Sequence, residues 1–354
     1  MEPAAYLPAY LERQYLASHP DLTSAARELL HAEVTKHPER YATSEHARVL
    51  LAYADVHNRM MRDLTGLDDL SDEEFERRQA KIFGEAQTTL AKLCEVDRLC
   101  VDAQCSKIML ADVPLDYCLR DLLALEERVR SYLCGAVEGF DPDAPHYWNE
   151  RSLAEAGETA AERTVAEPEV IGWLHTLEAI SQLCLASARY RAAARYARQV
   201  VRAEGYLTHA GGVLLLACAR LEDEEGFFAA AHDLDGRLPS ADNASAVGTI
   251  ENSPWYLLGR AVLLYKLGRE KSAQRALRDF SKRCEGGAFF LLNPIYLSPY
   301  LPVRPPVRHA WELSHQATWE ADGIISDTPD FATWAADVPG ISDASEEFAR
   351  ANGF

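Results

Sequence analysis

A helical segment recurs three times in the middle of the chain, and this repeat limits the possible folds more than any other feature. The segment that begins at Leu183 recurs at Ala217, 34 residues later, and again at Leu263, a further 46 residues along. Each copy predicts a helix, a short polar turn and a second helix. One such pair cannot bury its apolar side alone, so successive pairs are expected to stack.

The turn and the second helix of each copy have residues that suit this packing. Gly268 predicts a helix that ends in the left-handed conformation, which residues with a Cβ resist. The small Ala193 and Ala273 allow the second helix to approach the first. The longer spacing before the third copy predicts a turn-rich insertion over residues 239–248. The predicted buried stripe of the second helices consists of Ala197, Ala231 and Leu277, followed by Val200, Leu234 and Phe280.

The copies resemble tetratricopeptide repeats over roughly residues 170–285. The third copy is the most typical. Elsewhere Phe227 replaces a small residue, Glu222 replaces glycine, and Arg260 replaces an apolar residue. The resemblance implies an all-α fold built around a right-handed α-α superhelix, with an N-terminal helical segment and a C-terminal helical cap. It also implies a protein- or peptide-binding scaffold or adaptor rather than an enzyme.

More weakly, the order of parts is similar to bacterial tetratricopeptide proteins of the suppressor-of-tumorigenicity-seven family. In that family an irregular loop precedes the helix pairs, and the last pair continues into an asparagine-proline segment. Asn293-Pro294 and the later Glu320-Ala321 stand in similar places here. This likeness concerns architecture and implies little chemistry.

The whole chain is expected to have four parts: an N-terminal helical segment (1–137), an acidic linker or loop (138–169), the repeats (170–285), and a proline-rich segment with a C-terminal helical cap (286–354). Ser71 and Glu74 have the spacing of a capping box at a helix start. Residues from Gly286 to Pro306 are expected to run extended, and two or three short helices should follow. The N-terminal helices are predicted at 4–17, 22–36, 43–64, 71–93, 98–110 and 114–135.

The composition indicates where the protein is located and which classes of partner it can bind. The chain has 36 Lys and Arg against 55 Asp and Glu, a formal charge of −19 that repels nucleic acid and anionic membranes. Its eight cysteines form no Cys-x-x-Cys pair, and Cys100 and Cys105 are expected to be buried structural thiols rather than reactive ones. We find no signal peptide and no apolar run long enough to cross a membrane. A cytoplasmic protein is therefore expected.

The candidate site is the concave side of the stack, formed by the first helix of each pair. Arg220 and Lys266 are the only cations there, so no clamp for a peptide carboxylate is expected, unlike in co-chaperone tetratricopeptide domains. Trp255 and Tyr265 either anchor an apolar or extended peptide from an exposed position, or pack against the next helix or the proline-rich segment. The residues that the repeat register places inward are His175, Glu178, Gln182, His209, Leu216, Arg220, Trp255, Val262, Tyr265 and Lys266.

Two other functions remain open. A metal-dependent or other enzyme would use the Glu-x-x-His pairs Glu28/His31 and Glu312/His315, although these lie at opposite ends of the chain. A peptide-sensing regulator would need a DNA-binding head in the first 60 residues, where no cluster of basic residues occurs. Signatures of hydrolases and of phosphate-binding loops are absent. The sequence therefore predicts no catalytic residue, metal or cofactor, and it gives no indication of the oligomeric state.

Overall fold

The computed structural model describes residues 3–67, 70–137, 140–143, 167–203, 209–236, 238–240, 243–300, 302–303 and 307–354. These residues form sixteen α-helices and one short β-hairpin, so the predicted helical class is confirmed. Most of the predicted linker 138–169 lies outside the described residues.

Six helices precede the repeats, each within three residues of its predicted ends. They are α1 (Pro3–Ser18), α2 (Ser24–Lys36), α3 (Glu45–Thr65), α4 (Asp72–Val96), α5 (Val101–Met109) and α6 (Leu115–Ala136). Along the chain, α3 packs on α4, α4 on α5, and α5 on α6.

The prediction of a capping box at the start of α4 is wrong, because the side chains of Ser71 and Glu74 do not form it. Ser71 is the N-cap residue, but its hydroxyl makes no capping hydrogen bond. The Glu74 carboxylate instead accepts hydrogen bonds from Arg78 at 2.8 and 3.1 Å. A charged donor one turn away thus replaces the backbone amide as the partner of Glu74.

Residues 168–283 form six helices in the order of the three predicted pairs: α7 (Pro168–Ala186) and α8 (Tyr190–Val201), α9 (Ala210–Arg220) and α10 (Glu224–Asp233), then α11 (Pro254–Lys266) and α12 (Glu270–Arg283). Helix α8 packs on α9, and α9 contacts both α10 and α11, which in turn packs on α12. The stripe predicted for the second helices is buried at every position.

The three turns within the pairs have one geometry. Ala188, Glu222 and Gly268 have φ angles of 56°, 60° and 68°, in the left-handed region. At each turn the amide of the next residue donates to a carbonyl five residues earlier, over 2.7 to 3.0 Å, as in a Schellman motif. Only Gly268 adopts this conformation without steric cost; a residue with a Cβ loses roughly 1–2 kcal/mol. The stacking therefore imposes the turn on Ala188 and Glu222.

A glycine compensates for the large side chain of Phe227. Its ring is fully buried and stacks on Tyr256 at a centroid distance of 5.7 Å. A Cβ at Gly259 would lie 3.1 Å from this ring. The missing side chain at Gly259 therefore makes room for the Phe227 ring.

The prediction of a turn-rich insertion over residues 239–248 is wrong, because this part of the chain forms a β-hairpin. Strands β1 (Leu238–Ser240) and β2 (Asn243–Gly248) pair antiparallel, with an irregular register after Pro239. Leu238 is buried, and its side chain lies close to Gly211 at the start of α9. Strand pairing satisfies backbone groups of the inserted residues, which a turn-rich loop would leave to solvent.

The segment after α12 is also more ordered than predicted. Residues 287–292 form a short helix, α13 (Gly287–Leu292), rather than an extended chain, because Gly286 reverses direction with φ of 71° and the apolar run that follows is buried. Three further helices follow, as predicted for the C-terminal part. They are α14 (Ala310–Ser326), α15 (Phe331–Asp337) and α16 (Ile341–Asn352). Helix α13 packs on α14 and α16 around Phe289, Phe290 and Phe348.

The chain divides into two compact units. One comprises Met1–Ala179 with Arg202–Tyr206, and the other comprises Ile180–Val201 with Leu207–Phe354. The boundary falls within α7, and the helices from α8 to the C-terminal α16 belong to the second unit. In the described part of the chain, no helix combines the length and the apolar character needed to cross a lipid bilayer.

Candidate functional site

The first helices of the second and third pairs are covered by the chain's own helix α14. This helix packs on α11 and, less extensively, on α9. Most of its side chains from Leu313 to Ile325 are buried. From the sequence, the C-terminal helices were expected to cover the end of the stack, and the next helix or the proline-rich segment was the alternative packing partner for Trp255 and Tyr265. The structure instead places α14 against α9 and α11.

Trp255 joins α11 to α14. Its ring is 1% exposed, and its indole Nε1 donates a 2.7 Å hydrogen bond to Oε2 of Glu320. Gly212 makes room for the ring, because a Cβ there would lie 2.5 Å from Cδ1 of Trp255. Trp255 is therefore not an exposed anchor. It packs inside the second unit and fixes the carboxylate of Glu320.

Beside this contact lies a cleft of about 310 Å³ within the second unit. One wall comes from the end of α7, the following turn and the start of α8, and the other from α14 and the residues after it. The lining residues are Gln182, Leu185, Ala186, Ala188, Tyr190, Val213, Trp319, Glu320, Asp322, Gly323, Ile324 and Asp327. Apolar side chains and carboxylates thus meet in one concave space, a common arrangement in binding sites.

The cleft has an acidic lining. Among its described lining residues are the carboxylates of Glu320, Asp322 and Asp327, and none of the lining side chains is a cation. Arg220 lies at the edge, with Nη2 3.6 Å from Oδ2 of Asp327. Tyr190 also donates a 3.3 Å hydrogen bond to this carboxylate. Burial and the charge of Asp327 raise the pKa of Tyr190, so the phenol stays protonated and remains a donor.

Of the predicted groove residues in the second unit, three line the cleft or contact its lining, and the others lie elsewhere. Gln182 lines it, while Arg220 and Trp255 each contact a lining carboxylate. The His209 ring lies 6.0 Å from the Trp255 ring. Lys266 forms an ion pair with Glu222 at 3.1 Å, at the neighbouring turn.

Tyr265 packs against the residues that follow α14. Its hydroxyl donates to the carbonyl of Pro329 at 3.1 Å, and its ring lies 5.2 Å from Phe331 and 4.7 Å from Trp334. Tyr265 therefore packs within the protein, and its partners are Pro329 and α15 rather than the next helix or the proline-rich segment.

His175 and Glu178 belong to the first unit. His175 Nδ1 lies 2.7 Å from Oδ1 of Asp102, and Tyr6 donates to Oδ2 of the same carboxylate at 2.8 Å. Burial raises the pKa of Asp102, but the charge of His175 and the hydrogen bonds from His175 and Tyr6 outweigh it, so the pKa lies below its usual value. This buried cluster connects α1, α5 and α7 within the first unit.

The Glu-x-x-His pairs have other partners. His31 Nδ1 lies 2.7 Å from Glu12, and His315 Nδ1 lies 2.6 Å from the hydroxyl of Tyr300. The side chain of Glu28 lies outside the described residues. In the part of the chain that the structure describes, no group of three or more His, Cys, Asp or Glu side chains is placed to hold a metal ion.

Cys100 and Cys105 are buried, as the sequence predicted. Burial raises the pKa of both thiols, that of Cys105 to about 12. Both sulfurs are therefore protonated at neutral pH, whereas a nucleophilic cysteine needs a thiolate.

Sequence reasoning missed the acidic residues of the cleft. Glu320 follows Ala317 by three residues and precedes Ala321 and Ile324 by one and four, and these three are buried apolar positions of α14. A carboxylate on the apolar stripe of a helix indicates a buried polar partner, and this signal was available from the sequence. Asp327 had no comparable signal, because it stands in a turn among polar residues.

Comparisons with known proteins do not identify the chain: no protein-family model matches it, and no significant match was found among curated proteins or solved structures.

Proposed function

We propose that this protein is a non-catalytic helical-repeat scaffold that binds a protein or peptide partner in the cleft beside α14. We also propose that its helix pairs follow the right-handed superhelix of tetratricopeptide repeats. The three equivalent left-handed turns and the contacts of α9 with α11 support this architecture. A cytoplasmic location fits the proposal, since all eight cysteines are free thiols.

The observation that carries the proposal is the acidic lining of the cleft over an apolar floor. Glu320 is held in place by Trp255, while the carboxylate of Asp322 has no hydrogen bond or ion pair with any described residue. Ala186, Ala188 and Trp319 supply apolar surface, with the buried Leu185, Val213 and Ile324 behind them. A lysine or arginine side chain has an apolar stem and a cationic end, so it matches both parts of this lining. The partner is therefore a polypeptide that inserts such a side chain.

A titration with short peptides tests this proposal. The probes are capped pentapeptides that differ only in the central residue, which is arginine, lysine, citrulline or leucine, and binding to the full chain is followed by NMR shifts of cleft residues. Saturable shifts with arginine or lysine are expected. The uncharged citrulline and leucine peptides should bind at least several-fold more weakly, because they lack the cation.

Two matched variants locate the binding. Asp322→Asn should weaken the arginine peptide several-fold, since it removes an unpaired carboxylate from the lining. Asp343→Asn makes the same change at an exposed position of α16 and should leave binding unchanged. Equal effects of the two variants, or equal binding of arginine and citrulline peptides, would refute the proposal.

The two other functions have no specific observation in their favour. Within the described residues, the Glu-x-x-His histidines have separate partners. A peptide-sensing regulator would need a DNA-binding head in the first 60 residues. There, Tyr6 instead makes a buried interhelical contact with Asp102, which is typical of a structural core.

A further inference from the structure

The outward face of α8 carries a row of cations. Arg191, Arg195 and Arg198 are separated by four and three residues, and all three are exposed. Since an α-helix has 3.6 residues per turn, these positions lie on one face, opposite the buried Ala193 and Ala197. Helix α8 contains no acidic residue.

Helix α12 repeats this row at equivalent positions. Lys271 and Arg275 are exposed, Arg278 is half-buried, and each stands 80 residues after its counterpart in α8. The intervening helix α10 differs, because Glu225 occupies the position of Arg191. The row of cations is therefore a feature of the first and third pairs and not of every second helix.

Several of these cations have no partner within the described part of the chain. No hydrogen bond or ion pair there involves the side chain of Arg191, Lys271 or Arg275. Arg195 lies over the ring of Tyr196 at 4.6 Å and has no carboxylate partner among the described residues. In a chain with 55 acidic and 36 basic residues, cations without carboxylate partners are not explained by a shortage of acids.

The stack itself shows how such a cation holds a carboxylate. Arg269, at the start of α12, donates from both terminal nitrogens to both oxygens of Glu224 in α10, at 2.5 and 2.8 Å. The planar guanidinium matches a carboxylate in this two-point geometry. A carboxylate from another polypeptide can be held in the same way by the unpaired arginines.

We propose that the outward faces of α8 and α12 are docking surfaces for an acidic polypeptide segment. Successive cations are about 6 and 4.5 Å apart along each helix axis, for steps of four and three residues at a rise of about 1.5 Å per residue. An extended chain with a carboxylate at every second residue has a repeat of about 6.6 Å. Such a segment places its carboxylates close to successive cations.

A short peptide fits these faces better than a membrane or a nucleic acid. Among the described residues, α8 and α12 expose no large apolar side chain for insertion into a bilayer. The formal charge of −19 opposes an extended polyanion. A short segment experiences mainly the charges within a Debye length, about 8 Å at physiological ionic strength.

The test uses the full chain and a labelled 13-residue peptide with glutamate at alternate positions. A glutamine version of this peptide and phosphatidylserine vesicles are the comparison ligands. Fluorescence anisotropy should show saturable binding of the glutamate peptide that weakens with added salt, and no binding of the glutamine peptide. Vesicle binding without peptide binding, or no saturable peptide binding at low salt, would overturn the proposal.

Charge-reversal variants locate the surface. In a chain that already carries Lys271→Glu and Arg275→Glu, so that only the α8 face remains, Arg191→Glu with Arg195→Glu should weaken binding of the glutamate peptide at least tenfold. Arg59→Glu with Arg62→Glu changes the net charge equally at exposed positions of α3 and should change binding less than twofold. Equal weakening by both pairs would mean that only net charge matters and would reject the docking surface. The proposal does not rest on the cleft, so Asp322→Asn should bind the glutamate peptide normally.

Discussion

Replacing Gly212 by alanine tests the contact between α9 and α11. The new Cβ would lie 2.5 Å from Cδ1 and 2.7 Å from Cγ of Trp255. The ring cannot easily move, because it is 1% exposed and its Nε1 is hydrogen-bonded to Glu320. Either α9 and α11 separate, or Trp255 leaves its position and gives up this hydrogen bond.

Two opposing effects set the size of the change. Alanine is favoured over glycine in a helix by up to about 1 kcal/mol. Overpacking of a buried contact costs about 1–3 kcal/mol, and a clash with a rigid ring is at the upper end of that range. The free energy of unfolding of the Gly212→Ala variant should therefore fall by about 1–2 kcal/mol.

Gly323→Ala is the matched control. Gly323 lies in α14, is exposed, and has nothing within 4 Å of the position that its Cβ would take. Only the helix preference applies there, so the free energy of unfolding should rise by about 0.5–1 kcal/mol. The same chemical change thus has opposite signs at the two positions.

Urea unfolding followed by far-ultraviolet circular dichroism measures both variants. Comparison of the m-values shows whether a change in midpoint reflects stability. Combining Gly212→Ala with Trp255→Leu should cost less than the sum of the single changes, because the smaller side chain relieves the clash. A Gly212→Ala variant as stable as Gly323→Ala would show that Trp255 does not occupy this position.

Three further predictions concern buried titratable groups. The pKa of Asp102 is lower in the folded state than in the unfolded state, where it is about 3.9. The stability that ionised Asp102 contributes is therefore present above about pH 3.9 and is lost as the pH falls through the folded-state pKa. Asp102→Asn should remove this loss and so flatten the acid limb of a plot of stability against pH. Burial lowers the pKa of His315, so the stability from the neutral imidazole is lost as the pH falls below about 6.5, and His315→Gln should remove that part of a thermal-unfolding profile; an unchanged profile would contradict it. The exposed Cys134 should react with a maleimide in the native protein, whereas Cys105 should react only after unfolding, as peptide mass mapping can show.

The helices were predictable because their signals are local. Periodic apolar residues and the repeated segment lie within windows of one or two helices, and they predicted α1 to α6 within three residues. The left-handed turns at Ala188 and Glu222 were not predictable in the same way, because the intrinsic preference of these residues opposes that conformation. Only contacts between stacked pairs, formed after the helices, outweigh it.

The cleft was less predictable because its contacts are distant in sequence. Trp255 and Glu320 are 65 residues apart, and Tyr190 and Asp327 are 137 apart. The repeat register pointed to Gln182, Arg220 and Trp255, but it could not show which element covers the first helices. That depends on where the chain returns after the proline-rich segment, and the repeat carries no information about it.

The net charge of the chain describes neither of the proposed surfaces. A charge of −19 is an average over 354 residues, and it governs interactions at distances where individual charges are no longer resolved. Within about 8 Å, the distance at which salt screens charges, the cleft lining is acidic and the outward face of α8 is basic. The net charge therefore argues against binding of an extended polyanion, but not against binding of a short acidic peptide. One partner with both a cationic side chain and an acidic segment has complementary charges for both surfaces, and in that case Asp322→Asn and the Arg191/Arg195 reversal should each weaken the same complex.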